Sequence, residues 1–82
     1  MKMMDCVEVI VEKEKYAKEG VHKGMQGVIW LEKSRNDEWD VYFPQYGEKP
    51  DIAEISMAEE DIKQIPRMDA RINEKIKEQF GE

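Results

Sequence analysis

Residues 20–31 read GVHKGMQGVIWL, three glycines at positions 20, 24 and 27 running directly into Val28, Ile29, Trp30 and Leu31. Glycine reaches positive φ and lets two backbones approach closely, so glycines clustered ahead of an apolar, β-branched run mark a tight bend that feeds a strand. The rest of the chain arranges itself around that bend. One strand precedes it, two or three short ones follow, and a helix closes the sequence.

Upstream, Cys6 to Val11 (CVEVIV) is rich in β-branched residues and places Val7, Val9 and Val11 on one face of a strand. The stretch KEKYAKEGVHKG between that strand and the bend is too charged for a core. Glu14 and Lys18 have the spacing of a helical pair, but Gly20 and Gly24 follow too soon, so a long loop pinned by Tyr16 is the better reading. Downstream, Val28 to Lys33 forms the second strand, and Asn36-Asp37 suits a hairpin turn. Glu38 to Phe43 (EWDVYF) has the period of a half-buried strand, with Trp39, Val41 and Phe43 directed into the core and Trp30 or Ile29 beside them. Pro44 ends it, and PQYGEKPD is a surface loop.

Residues 52–65 admit two readings. Ile55, Ala58, Ile62 and Ile65 make a helical stripe, with Ser56 and Glu59 as a capping box. The alternation of Ala53, Ile55 and Met57 with polar residues instead gives strand, turn, strand. The second reading is favoured, because three strands alone would leave an exposed edge. After Pro66, the segment RMDARINEKIKEQF (67–80) carries Met68, Ile72, Ile76 and Phe80 at every fourth position, an apolar stripe on a helix that Gly81 stops.

In this order the chain resembles the small bacterial SH3-like barrels, of the type that includes KOW-like domains. The resemblance is carried by YAKEGVHKGMQGVI (16–29), WDVYF (39–43) and ISMAEEDIKQI (55–65), and it covers roughly residues 5–65. In such domains a G-x-x-G-x-V/I segment turns the first long loop into the second strand. An acidic–aliphatic pair, here Asp61-Ile62, sits in the short turn before the last strand. The resemblance implies a mainly β fold: a five-stranded SH3-like barrel over residues 1–66, with residues 67–82 forming an amphipathic helix packed on the barrel or on a partner. It transfers no binding residue. The ALYDY-type segment of peptide-binding SH3 domains is absent, and Tyr16, Tyr42 and Tyr46 are left as aromatic candidates.

Composition narrows the function. The chain has 82 residues, of which 39% are charged, and a net charge of −6; its mean hydropathy is −0.80. Its two Trp, three Tyr and two Phe argue for a folded domain with a very polar surface rather than disorder. Residues 1–65 hold 15 acidic and 9 basic side chains, against 4 of each in residues 66–82. Such a body is repelled by phosphate backbones and anionic lipid and attracts basic surfaces. The single cysteine, Cys6, excludes an internal disulfide and is read as a small packing residue. No apolar run reaches membrane-spanning length, MKMMDC lacks the apolar core of a signal peptide, and a cytoplasmic location is expected.

Catalysis needs a nucleophile or metal with a positioned base. The single histidine, His22, lies in the glycine-rich loop and reads as a solvated side chain. The glycines are not followed by Gly-Lys-Ser/Thr, and no His, Cys or carboxylate set has metal-ligand spacing. No catalytic residue, metal or cofactor is therefore expected. What remains is binding. Between positions 48 and 61 six acids (Glu48, Asp51, Glu54, Glu59, Glu60, Asp61) face Lys49 alone. With Tyr42 and Tyr46 they form a candidate surface for a basic protein partner, as in acidic immunity or antitoxin proteins that inhibit a basic toxin. Two alternatives stand: a nucleic-acid or ribosome-associated KOW-like module, which the interleaved acids of the first loop oppose, and an accessory subunit docking through Met68, Ile72, Ile76 and Phe80. A monomer, or a weak homodimer through that helix, fits either protein-binding reading.

Overall fold

In the computed structural model, which describes residues 1–31, 38–45 and 51–81, the glycine-rich stretch leads into strand β2 (Gln26–Leu31). Val9, at the end of β1 (Cys6–Val9), pins the bend: its N–H donates to the Met25 carbonyl and its own carbonyl accepts from the Gly24 N–H. Gly24 has φ +92, and a Cβ there would meet Ile76 Cδ1 at 3.1 Å, so both the conformation and the space require glycine. At Gly27 the constraint is proximity alone. A Cβ would lie 2.6 Å from the Tyr42 carbonyl oxygen and within contact of the Phe43 ring.

Four further elements follow β2 in chain order: β3 (Glu38–Phe43), β4 (Ala53–Ala58), a 3-10 turn (Glu59–Asp61) and β5 (Ile62–Ile65), then helix α2 (Ala70–Gln79). Residues 52–65 are thus strand, turn, strand. All ladders are antiparallel, in the spatial order β4-β3-β2-β1-β5. The two edge strands share no ladder among the described residues, so the sheet is five-stranded and open, a coarser architecture than the closed barrel the resemblance implies. The proposed hairpin turn at Asn36-Asp37 lies outside the described residues.

Alternation in β3 sets the core. Trp39, Val41 and Phe43 are buried, opposite Met57, Ile55 and Ala53 of β4, and join Val7, Val9, Ile29 and Ile62. Trp30 points outward and is 46% exposed. Its neighbour Ile29 takes the inward position, so alternation along β2 sends Trp30 to the other face, where the β2–β3 register shifts between Ile29 and Leu31.

The segment after β1 differs from the long loop expected. Glu14–Ala17 closes one helical turn, α1, before Gly20 breaks it. Tyr16 does pin the segment. It is buried, its hydroxyl donates to Asp61 Oδ2 at 2.6 Å, and Lys13 Nζ reaches the same oxygen at 2.9 Å. The Ala58 N–H in turn donates to the Tyr16 hydroxyl at 3.2 Å.

Helix α2 begins with Asp69 as its N-cap, accepting from the Arg71 N–H. It docks on its own sheet through a polar residue. Asn73 is fully buried: its Oδ1 accepts from the Gln26 N–H at 2.6 Å, and its Nδ2 donates to the Gln26 carbonyl at 2.7 Å and the Pro44 carbonyl at 3.1 Å. The reason lies in the ladder. Val28 pairs with Tyr42, so continuing that register opposes Gln26 to Pro44, which has no N–H to give. The Asn73 amide supplies the missing partner and holds the helix in place. Ile76 adds apolar contact with the core.

Candidate functional site

Of the acids between positions 48 and 61, Asp61 is withdrawn from the surface. Asp61 is 4% exposed and spent on Tyr16 and Lys13. Burial pushes its carboxyl up, but the hydrogen bonds from Tyr16 and Lys13 outweigh it and hold the pKa below the usual value. Glu59 Oε1 accepts from Trp39 Nε1 at 3.0 Å, and Glu60 is exposed on the 3-10 turn. Glu48 and Tyr46 lie outside the described residues. This leaves Asp51 and Glu54 beside Tyr42.

The Tyr16–Asp61 tie predicts two limbs in a stability–pH profile. Asp61 has a depressed folded pKa, so its contribution is complete above the ordinary carboxyl value of 3.8 and is lost as pH falls through the lower folded value. Tyr16 is pushed up to about 12, first by burial and then by Asp61, so its contribution is complete below pH 10.0 and lost as pH rises toward about 12. Melting temperatures across pH should show Asp61→Asn flattening the acid limb and Tyr16→Phe flattening the alkaline one. Unchanged profiles in both variants would contradict the tie.

On the outer face of the sheet, pairing aligns a row across five strands: Ile65, Cys6, Val28, Tyr42 and Glu54. Trp30 lies beside it, its ring tilted 43° to that of Tyr42 with centroids 5.5 Å apart. The Tyr42 hydroxyl is held by Asp51, and that bond, ahead of burial, raises its pKa. Asp40 shares the face, two residues from Tyr42 along β3. Its Oδ2 is shielded from solvent and has no donor among the described residues. The Glu54 carboxyl is pushed up from its usual range, first by a hydrogen bond to Asp40 and then by desolvation and the charge of Asp40. Two aromatic rings and three carboxyls therefore share one exposed area. Trp30 and Asp40 escape a search for acidic runs, because only the β2–β3 and β3–β4 pairings bring them to Tyr42 and Glu54.

His22 is not the solvated loop residue its sequence context suggests. It is 5% exposed, its Nδ1 lies 2.7 Å from Glu12 Oε2, and the Phe80 ring stacks on it at 3.7 Å and 5°. Partial burial pushes the Glu12 carboxyl up, but the Lys23 N–H and His22 hold it below its ordinary value. Of the stripe on α2, Ile76 packs on the core, Met68 and Ile72 are half-buried, and Phe80 is 51% exposed while covering His22. The deepest helix position is Asn73, off that stripe.

Among the described residues, no group of three or more His, Cys, Asp or Glu is placed to hold a metal ion, and no helix is long and apolar enough to cross a membrane. Compared with protein-family models, curated proteins and solved structures, the chain gives no significant match, so its function is argued from its own residues.

Proposed function

We propose that the chain is a non-enzymatic binding module of SH3-like type that docks a basic protein partner on the outer face of β2–β4. The observation that carries this reading is Trp30, 46% exposed against Tyr42, with Asp40, Asp51 and Glu54 around the pair. Paired surface aromatics rimmed by carboxyls have the composition of a protein contact surface, where Trp and Tyr are enriched. Carboxyls around them select for positive charge and raise the association rate with a basic surface. The acidic balance of residues 1–65 extends that attraction beyond the contact itself. An acidic inhibitor of a basic toxin in the cytoplasm is the role this charge suits best.

The test captures partners from native lysate with the wild-type chain and with Glu54→Lys, and titrates RNA and DNA in parallel. A basic protein should be retained by the wild type, lost with the charge reversal and weakened by salt. Micromolar nucleic-acid binding with a steep salt dependence, or capture that ignores the charge reversal, would overturn the reading.

A further inference from the structure

We infer that the anchor recognised on this face is an arginine side chain of the partner, its guanidinium stacked on Trp30 and shared between Asp40 and Glu54. This rests on the proposed basic-partner reading and narrows it to one chemical group. Three features converge on a planar cation with several donors.

The first is the aromatic surface. Trp30 offers the ring that binds cations best, nearly half of it open, and Tyr42 supports it from the side. The second is an acceptor without a donor. Asp40 Oδ2 takes no hydrogen bond among the described residues and is closed to solvent in the free chain, so a donor that displaces its cover on binding satisfies a group that is otherwise costly. The third is the carboxyl pair. Asp40 and Glu54 are diagonal neighbours across the β3–β4 ladder, and a hydrogen bond to Asp40, then desolvation and its charge, push the Glu54 carboxyl up. A cation set between the two relieves their mutual repulsion. A guanidinium meets all three demands at once. It is flat enough to stack, permanently charged, and carries a fork of donors able to serve two carboxyls. A lysine ammonium brings a point charge with neither the plane nor the fork. Tyr42 is already held by Asp51 and so fixes the edge of the area without competing for the cation.

The experiment titrates the full chain with three capped tripeptides, Gly-Arg-Gly, Gly-Lys-Gly and Gly-citrulline-Gly, at low salt, following backbone and indole resonances by NMR. Citrulline keeps the plane and loses the charge. The arginine peptide should shift the Trp30 indole, Tyr42 and Glu54 signals together, the lysine peptide should bind more weakly, and citrulline should not bind. Trp30→Ala should weaken arginine binding by about 3–30-fold. Glu54→Gln, a surface change that leaves the fold intact, should weaken it by at least about threefold. Arginine and lysine shifting all acidic residues alike would overturn the arginine anchor while leaving attraction of a basic partner standing. Silence from both cationic peptides would overturn the basic-partner reading as well.

Discussion

Phe43→Ala should leave the protein largely unfolded at room temperature. Phe43 is fully buried, and its ring closes over Gly27, where no side chain could take its place. Truncating a buried Phe costs about 3–5 kcal/mol, the transfer of the ring plus the cavity left behind. A domain of 82 residues has a net stability of about the same size. Circular dichroism should show loss of the cooperative melt. Trp30→Ala, on the opposite face, loses a half-exposed ring and its contact with Tyr42 and should cost less, about 0.5–1.5 kcal/mol. If Phe43→Ala melts within a few degrees of the wild type, the inward facing of β3 is wrong.

Asn73→Ala should be nearly as damaging, for a different reason. It removes little apolar area, but it strips partners from the Gln26 N–H, the Gln26 carbonyl and the Pro44 carbonyl together. Each buried group left unsatisfied costs about 1–3 kcal/mol, and partial access of water reduces the sum to about 2–4 kcal/mol. A domain of this size then loses more than about 10 °C of melting temperature. Asn73→Asp separates hydrogen bonding from shape. It keeps the volume and the acceptor for Gln26, yet turns an oxygen toward two carbonyls where a donor is needed, so it should destabilise at least as strongly. Wild-type stability in the Asp variant would show that the amide is not what joins helix to sheet.

The elements whose pattern is local were legible in the chain. Six residues of EWDVYF suffice to show a period of two, and the glycine bend announces β2. The division of residues 52–65 into strand, turn and strand followed from the need to cover an edge. What escaped depended on residues brought together from far apart. Nothing near Asn73 marks it as buried, because its role is set by a proline at position 44 that cannot donate. His22 reads as a loop residue until Phe80 is laid on it. Asp61 counts as one acid in a run until Tyr16 and Lys13 converge on it. Ile29 and Trp30 are strand neighbours that must face opposite ways, and the apolar run alone did not say which of them enters the core. For the candidate site, Tyr42, Asp51 and Glu54 were visible as a local excess of acid and aromatic character. Asp40 and Trp30, which give the face its chemistry, were not.

The position of β1 bears on how the chain is made. β1 lies between β2 and β5, so the earliest of these five strands in the chain waits for the last of them before both of its edges are covered. Until Ile62–Ile65 has emerged, Cys6–Val9 presents an open edge to any passing strand. Lys63 and Glu8 then meet across that final ladder, 3.7 Å apart, an opposite-charge pair at the seam. Synthesis therefore passes through a stage in which the β1 edge is bare as well as the β4 edge, and docking of α2 on Gln26 comes later still. A partner or chaperone acting on the nascent chain would meet that open edge before it met the finished outer face.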